Sequence, residues 1–93
     1  MSDKVYKINE GFMLRNVAGN YVVVAVGKAS KKFNGMINLN STSAFMFECL
    51  INGMTEMELV NKVLEEYEIS EEVCKRDVKA FLEALVKNGI VEW

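Results

Sequence analysis

The side chains that most often carry chemistry are sparse in this sequence. Its two cysteines, Cys49 and Cys74, form no Cys-x-x-Cys pair, and there is no histidine. A zinc site would need ligands this chain hardly has, so no metal site is expected. The missing histidine also removes the commonest general base and the usual partner of a Ser or Cys nucleophile. Each cysteine sits within an apolar pattern and reads as a small buried hydrophobe. The carboxylates cluster as Glu65-Glu66 with Glu68, and as Glu71-Glu72. A paired-carboxylate active site needs a cleft, and these groups read instead as a solvated helix end. The six glycines form neither a Gly-x-Gly-x-x-Gly nor a Walker loop. No catalytic residue and no cofactor is expected.

What remains is chemistry of recognition, and it concentrates in the last long helical pattern. At about 100° per residue, Cys74, Val78, Phe81, Leu82 and Leu85 share one face, which reads as core. Lys75, Lys79 and Val86 fall along one flank beside Leu82, and Asp77 and Ala84 along the other. A basic flank bordering an apolar stripe suits an acidic, partly apolar ligand. The bland alternative is a pair of helix lysines snorkelling at the surface. The run Phe45-Met46-Phe47, with Met54 and Met57, reads first as packing. Six methionines keep open a second reading, an adaptable apolar surface.

The elements that must position these residues are legible in outline. Phe12 to Val17 and Tyr21 to Val26 read as strands, joined at Ala18-Gly19-Asn20 into a hairpin. The second strand is apolar on both sides and belongs at the centre of a sheet or under cover on both faces. The polar segment Gly27 to Phe33 and the turn Asn34-Gly35 lead to a third strand, Met36-Ile37-Asn38-Leu39, at the edge of a meander. Three helices follow. Asn40 or Ser41 caps the first, which runs to about Ile51 and stops at Asn52-Gly53. Thr55-x-x-Glu58 is a capping box opening the second. Ser70 caps the third, with Glu71 and Glu72 in its first turn and Asn88-Gly89 at its end. Ile90 to Trp93 leaves as a short extended tail.

Composition bounds the class. The chain has 93 residues, of which 51% are hydrophobic and 26% charged, a balance that supports one globular domain over 1–93. No stretch approaches the ~20 apolar residues of a membrane span. The polar Met1 to Glu10 lacks a signal-peptide core, so a cytoplasmic protein with no membrane partner is expected. The net charge of −2 shows no basic excess of the kind nucleic-acid binders carry. Strands followed by helices argue for an α+β domain, the hairpin forming the wing of a helix-turn-helix core.

The run Ile37-Asn-Leu-Asn40-Ser-Thr-Ser-Ala-Phe45, then Gly53-Met-Thr-Glu56 and Leu59-Val60, resembles the PqqD family. Asp77-Val78 followed by Phe81-Leu82 and Leu85 does too. These are pyrroloquinoline quinone biosynthesis protein D and its relatives, recognition domains for ribosomally made, modified peptides. The resemblance spans about residues 10 to 92 and rests on order and spacing rather than on one motif. It implies a winged helix-turn-helix with a three-stranded N-terminal meander and three helices. It also implies that the chain binds the leader of a precursor peptide and presents the peptide's core to a modifying enzyme, often a radical S-adenosylmethionine (SAM) protein. In this family the leader adds as a strand to the third strand and packs against the third helix. Here the expected peptide-binding residues are Met36, Ile37, Asn38, Leu39, Lys75, Lys79, Leu82 and Val86.

The competing class is a winged-helix DNA-binding regulator. A DNA reader places phosphate- and base-contacting residues early in its recognition helix, whereas this helix opens with Glu71-Glu72. No nucleic-acid partner is expected. An open strand edge beside an apolar helix flank is sticky when empty, so a homodimer formed through the peptide site is expected.

Overall fold

The computed structural model describes residues 4–32 and 37–92. In chain order they form β1 (Val5–Ile8), β2 (Phe12–Val17), β3 (Asn20–Ala25), the one-turn helix α1 (Ala29–Lys32) and β4 (Ile37–Leu39). Then come α2 (Ser41–Leu50), β5 (Met54–Thr55), α3 (Glu56–Glu66), α4 (Glu71–Lys87) and β6 (Val91–Glu92). The expected Asn34-Gly35 turn, Met36 and Trp93 lie outside the described residues.

The β2–β3 hairpin closes through a two-residue turn in which Ala18 (φ 53°) and Gly19 (φ 86°) both take positive φ. That geometry matches the right-handed twist of paired strands, and the Asn16 side chain secures it by accepting the Gly19 N–H at 3.0 Å. β3 is the central strand, antiparallel to β2 on one side and β4 on the other. Leu14, Val23 and Ile37 stand opposite one another across the three strands. Strand alternation puts this row on one face, and there it meets the core. The three strands therefore form the expected meander, with β4 at an edge.

Three longer helices complete the core, each started by a side-chain cap: α2 packs on β2 and β4, α3 against α2, α4 and β5, and α4 against β6. The Asn40 side-chain oxygen accepts the Ser43 N–H at 2.8 Å. Thr55 and Glu58 close a reciprocal capping box, the Thr55 hydroxyl accepting the Glu58 N–H at 3.1 Å and Glu58 accepting the Thr55 N–H at 2.9 Å. The Ser70 hydroxyl accepts the Val73 N–H at 3.2 Å. Apolar residues at helical spacing then bury Phe47 and Leu50 of α2, Leu59 and Val63 of α3, and Cys74, Val78, Leu82 and Leu85 of α4. Phe81, expected on that buried face, is only half-buried, because it lies at the margin of the stripe nearest Asp77.

Three expectations are corrected. The polar N-terminal decapeptide contains a strand, since Tyr6 and Ile8 alternate inward against exposed Val5 and Lys7. The C-terminal residues do not leave as a tail: β6 pairs with β1 (Lys7 opposite Glu92, Ile8 opposite Val91), and β5 pairs with the other side of β1. Fully buried Ile90 drives this return, and Asn9 locks it by donating its backbone N–H to the Ile90 carbonyl at 2.8 Å and its side-chain amide to the Gly89 carbonyl at 2.9 Å. The polar stretch after β3 holds α1, whose Ser30 hydroxyl donates back to the Gly27 carbonyl at 2.7 Å.

Candidate functional site

Among the described residues no polar or charged side chain is buried, and no cluster of three His, Cys, Asp or Glu side chains is placed to hold a metal ion. Both cysteines are free. Cys74 is buried, its thiol directed at the Val60 carbonyl at 3.5 Å, and burial pushes its pKa up. Cys49 is partly exposed and is also held up by burial, against the nearby Lys62. Neither thiol has the lowered pKa of a nucleophile. The surface features are instead a strand edge and three shallow hollows along α4.

β4 is bonded to β3 on one side, and no strand among the described residues pairs with its other side. In an antiparallel strand alternate residues direct both N–H and C=O to the same side, so β4 offers donors and acceptors to an added strand. Ile37 and Leu39 pack against the core while Asn38 is exposed. Immediately beyond Leu39, Asn40 ties the strand to the first turn of α2. Asn40 also lines a hollow of ≈ 470 Å³ reaching to α4. Its walls are Thr42, Ser43 and Met46 of α2, Tyr67 and Ile69 from the α3–α4 connection, and Asp77, Ala80 and Phe81 of α4. Tyr67 is fixed by an edge-to-face contact with Phe45, ring centroids 5.7 Å apart.

The opposite flank of α4 carries the other expected residues. Lys79, Leu82 and Val86 line a hollow of ≈ 320 Å³ closed by Tyr6, Glu56, Glu83 and Lys87. Burial, then the Glu56 and Glu83 carboxylates, raise the Tyr6 phenol above its ordinary pKa. Lys75 and Lys79 line a neighbouring hollow of ≈ 480 Å³ with Arg76, Glu56, Met57 and Val60. Lys75 is paired with Glu71 at 2.9 Å on an exposed turn, which lowers the Glu71 pKa and raises that of Lys75.

The expected residues thus fall into two groups. Ile37, Asn38 and Leu39 form the open strand edge, and Lys75, Lys79, Leu82 and Val86 gather along one flank of α4. Neither hollow on the Lys79 flank is lined by a β4 residue or by Asn40. Leu82 is 2% exposed, so it belongs mainly to the core and offers little surface to a ligand. The hollow that adjoins β4 uses Asp77, Ala80 and Phe81. Its Met46, Tyr67 and Ile69 are not among the expected site residues, although the Phe45-Met46-Phe47 run suggests an adaptable apolar surface.

The fold and site define an α+β winged helix-turn-helix domain whose sheet edge leads through Asn40 into a mixed polar and apolar hollow against its last helix. The sequence model of the family described as coenzyme PQQ synthesis protein D (PqqD) matches residues 20–91, and the chain belongs to that family. Comparison with curated proteins gives no match. Two solved structures share the fold. One is TbiB1 in complex with the TbiA(beta) leader peptide (TM-score 0.72, 20% identity, 92% of this chain and 94% of that chain covered). The other is lasso peptide synthetase B1 complexed with the leader peptide (TM-score 0.72, 18% identity, 95% and 98% covered).

Proposed function

We propose that this chain binds the leader segment of a ribosomally made precursor peptide by strand addition to β4 and presents the peptide to a modifying enzyme. The carrying observation is the open edge of β4 running through Asn40 into the hollow against α4. A leader that extends the sheet satisfies the backbone N–H and C=O groups that alternate residues of Ile37–Leu39 direct away from β3. It then sets a side chain among Met46, Tyr67, Ile69 and Phe81. Family membership supports this reading, as do the leader peptides named in the two structures of the same fold. The chain acts as a binding module without catalysis of its own, over 1–93 as one domain in the cytoplasm. On the family resemblance, that enzyme is a radical SAM protein or a similar modifying enzyme. Among the described residues no helix is long and apolar enough to cross a membrane.

Titrating the leader into labelled protein and following backbone amide shifts tests the site. Changes centred on Ile37–Leu39 and Asp77–Phe81 are expected. Changes confined to Lys79, Glu83 and Val86 move the peptide to the other flank of α4. The empty edge is also proposed to pair two copies of the chain. Sizing with and without leader reads this, and a dimer that survives saturating peptide separates the two surfaces. No specific DNA binding is expected, because exposed Glu71 and Glu72 open α4 and repel phosphates. A sequence-dependent, submicromolar gel shift at physiological salt would overturn the peptide reading.

A further inference from the structure

Resting on the leader-binding reading, we infer that the leader taken up here carries a large apolar side chain with basic residues beside it, and that Asp77 is the residue that selects for that charge. The hollow at the end of β4 sets the apolar half of this requirement. Met46, only 3% exposed, forms its floor, and Tyr67, Ile69 and Phe81 its walls. A strand continuing past Leu39 delivers a side chain into it without leaving the sheet edge.

The charge half comes from what lines the hollow and what does not. Asp77 is the one ionised side chain in its lining. Asn40 directs its side-chain oxygen at the Ser43 N–H and is already engaged there. Asp77 has one cationic partner, the Arg76 Nε at 3.7 Å, on a side chain that is 74% exposed, and so long and exposed a pair offsets only part of its charge. Glu66 and Glu68, both exposed, flank Tyr67 in the chain, and neither lines the hollow. Lys75 and Lys79 lie on the opposite flank, where they line a separate hollow. A leader seated against β4 therefore meets a carboxylate field, which favours Lys or Arg and disfavours Asp or Glu. This reverses the acidic ligand that Lys75 and Lys79 suggest in the sequence. The Asp77 side chain is 54% exposed, so its attraction is screened. It amounts to about a 2- to 5-fold change in affinity per charge.

A display library of random 12-residue peptides, selected on the whole wild-type chain and on Asp77→Lys, tests the inference. The wild type is expected to enrich peptides with a large apolar or aromatic residue next to Lys or Arg. Asp77→Lys is expected to keep the apolar preference and exchange Lys or Arg for Asp or Glu. The best wild-type peptide, titrated against Asp77→Asn, should bind about 2- to 5-fold more weakly, with the gap closing at high salt. Thermal melts check that both variants fold. Acidic peptides from the wild type, or the same charge preference in all variants, overturn the inference, and the leader reading survives if amide shifts still centre on Leu39 and Phe81. Enrichment of no peptide, or shifts confined to Lys79 and Val86, overturns the leader reading and this inference with it.

Discussion

Filling the hollow beside β4 decides which flank of α4 holds the leader. Ala80 lines the hollow, is itself exposed, and lies on the outer side of the helix away from Cys74 and Val78. Ala80→Trp places a large ring across the space above Met46 and Phe81. The intrinsic helix penalty is about 0.5 kcal/mol, and contact with Ile69 and Phe81 offsets part of it, so the melting temperature should move by a few degrees at most. Binding should respond far more. Seating one large apolar side chain in a pocket is worth roughly 1.5–3 kcal/mol. Losing that seat weakens the cognate leader by about 10- to 150-fold. Calorimetric titration measures this directly. The control is Lys75→Glu with Lys79→Glu, which lies on the other flank and reverses two exposed charges. Its effect on the leader should stay within about fivefold, because exposed pairs contribute little. If Ala80→Trp binds like the wild type while the double reversal abolishes binding, the leader lies on the Lys79 flank and the placement argued from β4 is wrong.

Thr55→Ala removes the hydroxyl of the capping box and leaves the Glu58 N–H unpartnered, which should destabilise the fold by about 1 kcal/mol. In a domain of this size that is a fall of about 4–8 °C in melting temperature, and a fall under about 1 °C shows that the cap contributes nothing. The alkaline limit of stability follows from Tyr6, Cys49 and Cys74, all held above their ordinary pKa values of 10.0, 9.0 and 9.0. Below about pH 8 both states keep these protons. Above it the unfolded chain loses them first, so stability falls as pH rises toward the folded values. Urea midpoints should therefore drop between about pH 8 and pH 10.5, and less steeply in Tyr6→Phe; a flat profile refutes the raised values.

The helices and the meander are legible in the sequence because their signals are local. Thr55 and Glu58 are three residues apart and complete each other's bonds, Ser70 announces α4, and the period of Cys74, Val78, Leu82 and Leu85 names the buried face without reference to any other element. The Ala18-Gly19 turn lies between two runs that pair residue for residue. β1, β5 and β6 have no such signal. They are two to four residues long, and β1 finds its partners at Met54–Thr55 and Val91–Glu92, so only the finished core brings them together. Their pairing depends on the buried Ile8, Ile90 and Val91, and nothing nearby in the chain marks those residues as sheet rather than tail.

The site shows the same division more sharply. Met36 to Leu39 reads as an edge strand from sequence, and the helical wheel of α4 correctly separates two flanks. The wheel cannot say which flank looks toward β4, because it carries no information about how one element crosses another. Charge then breaks the tie in favour of Lys75 and Lys79, since a basic rim looks like a ligand feature. In the fold the tie is broken by Asn40. It follows Leu39 directly and caps α2, so the strand's end is bound to the helix whose Met46 faces Phe81 across the hollow. The backbone edge and the apolar hollow are therefore joined by covalent connection through one capping residue. The lysine flank is instead joined to β1 and the start of α3, through Tyr6 and Glu56. On the proposed placement, a peptide held by β4 meets, among the described residues, a surface that continues through Asn40 toward Asp77 and Phe81. It is on that continuity, not on the abundance of cations, that the inferred basic character of the leader rests.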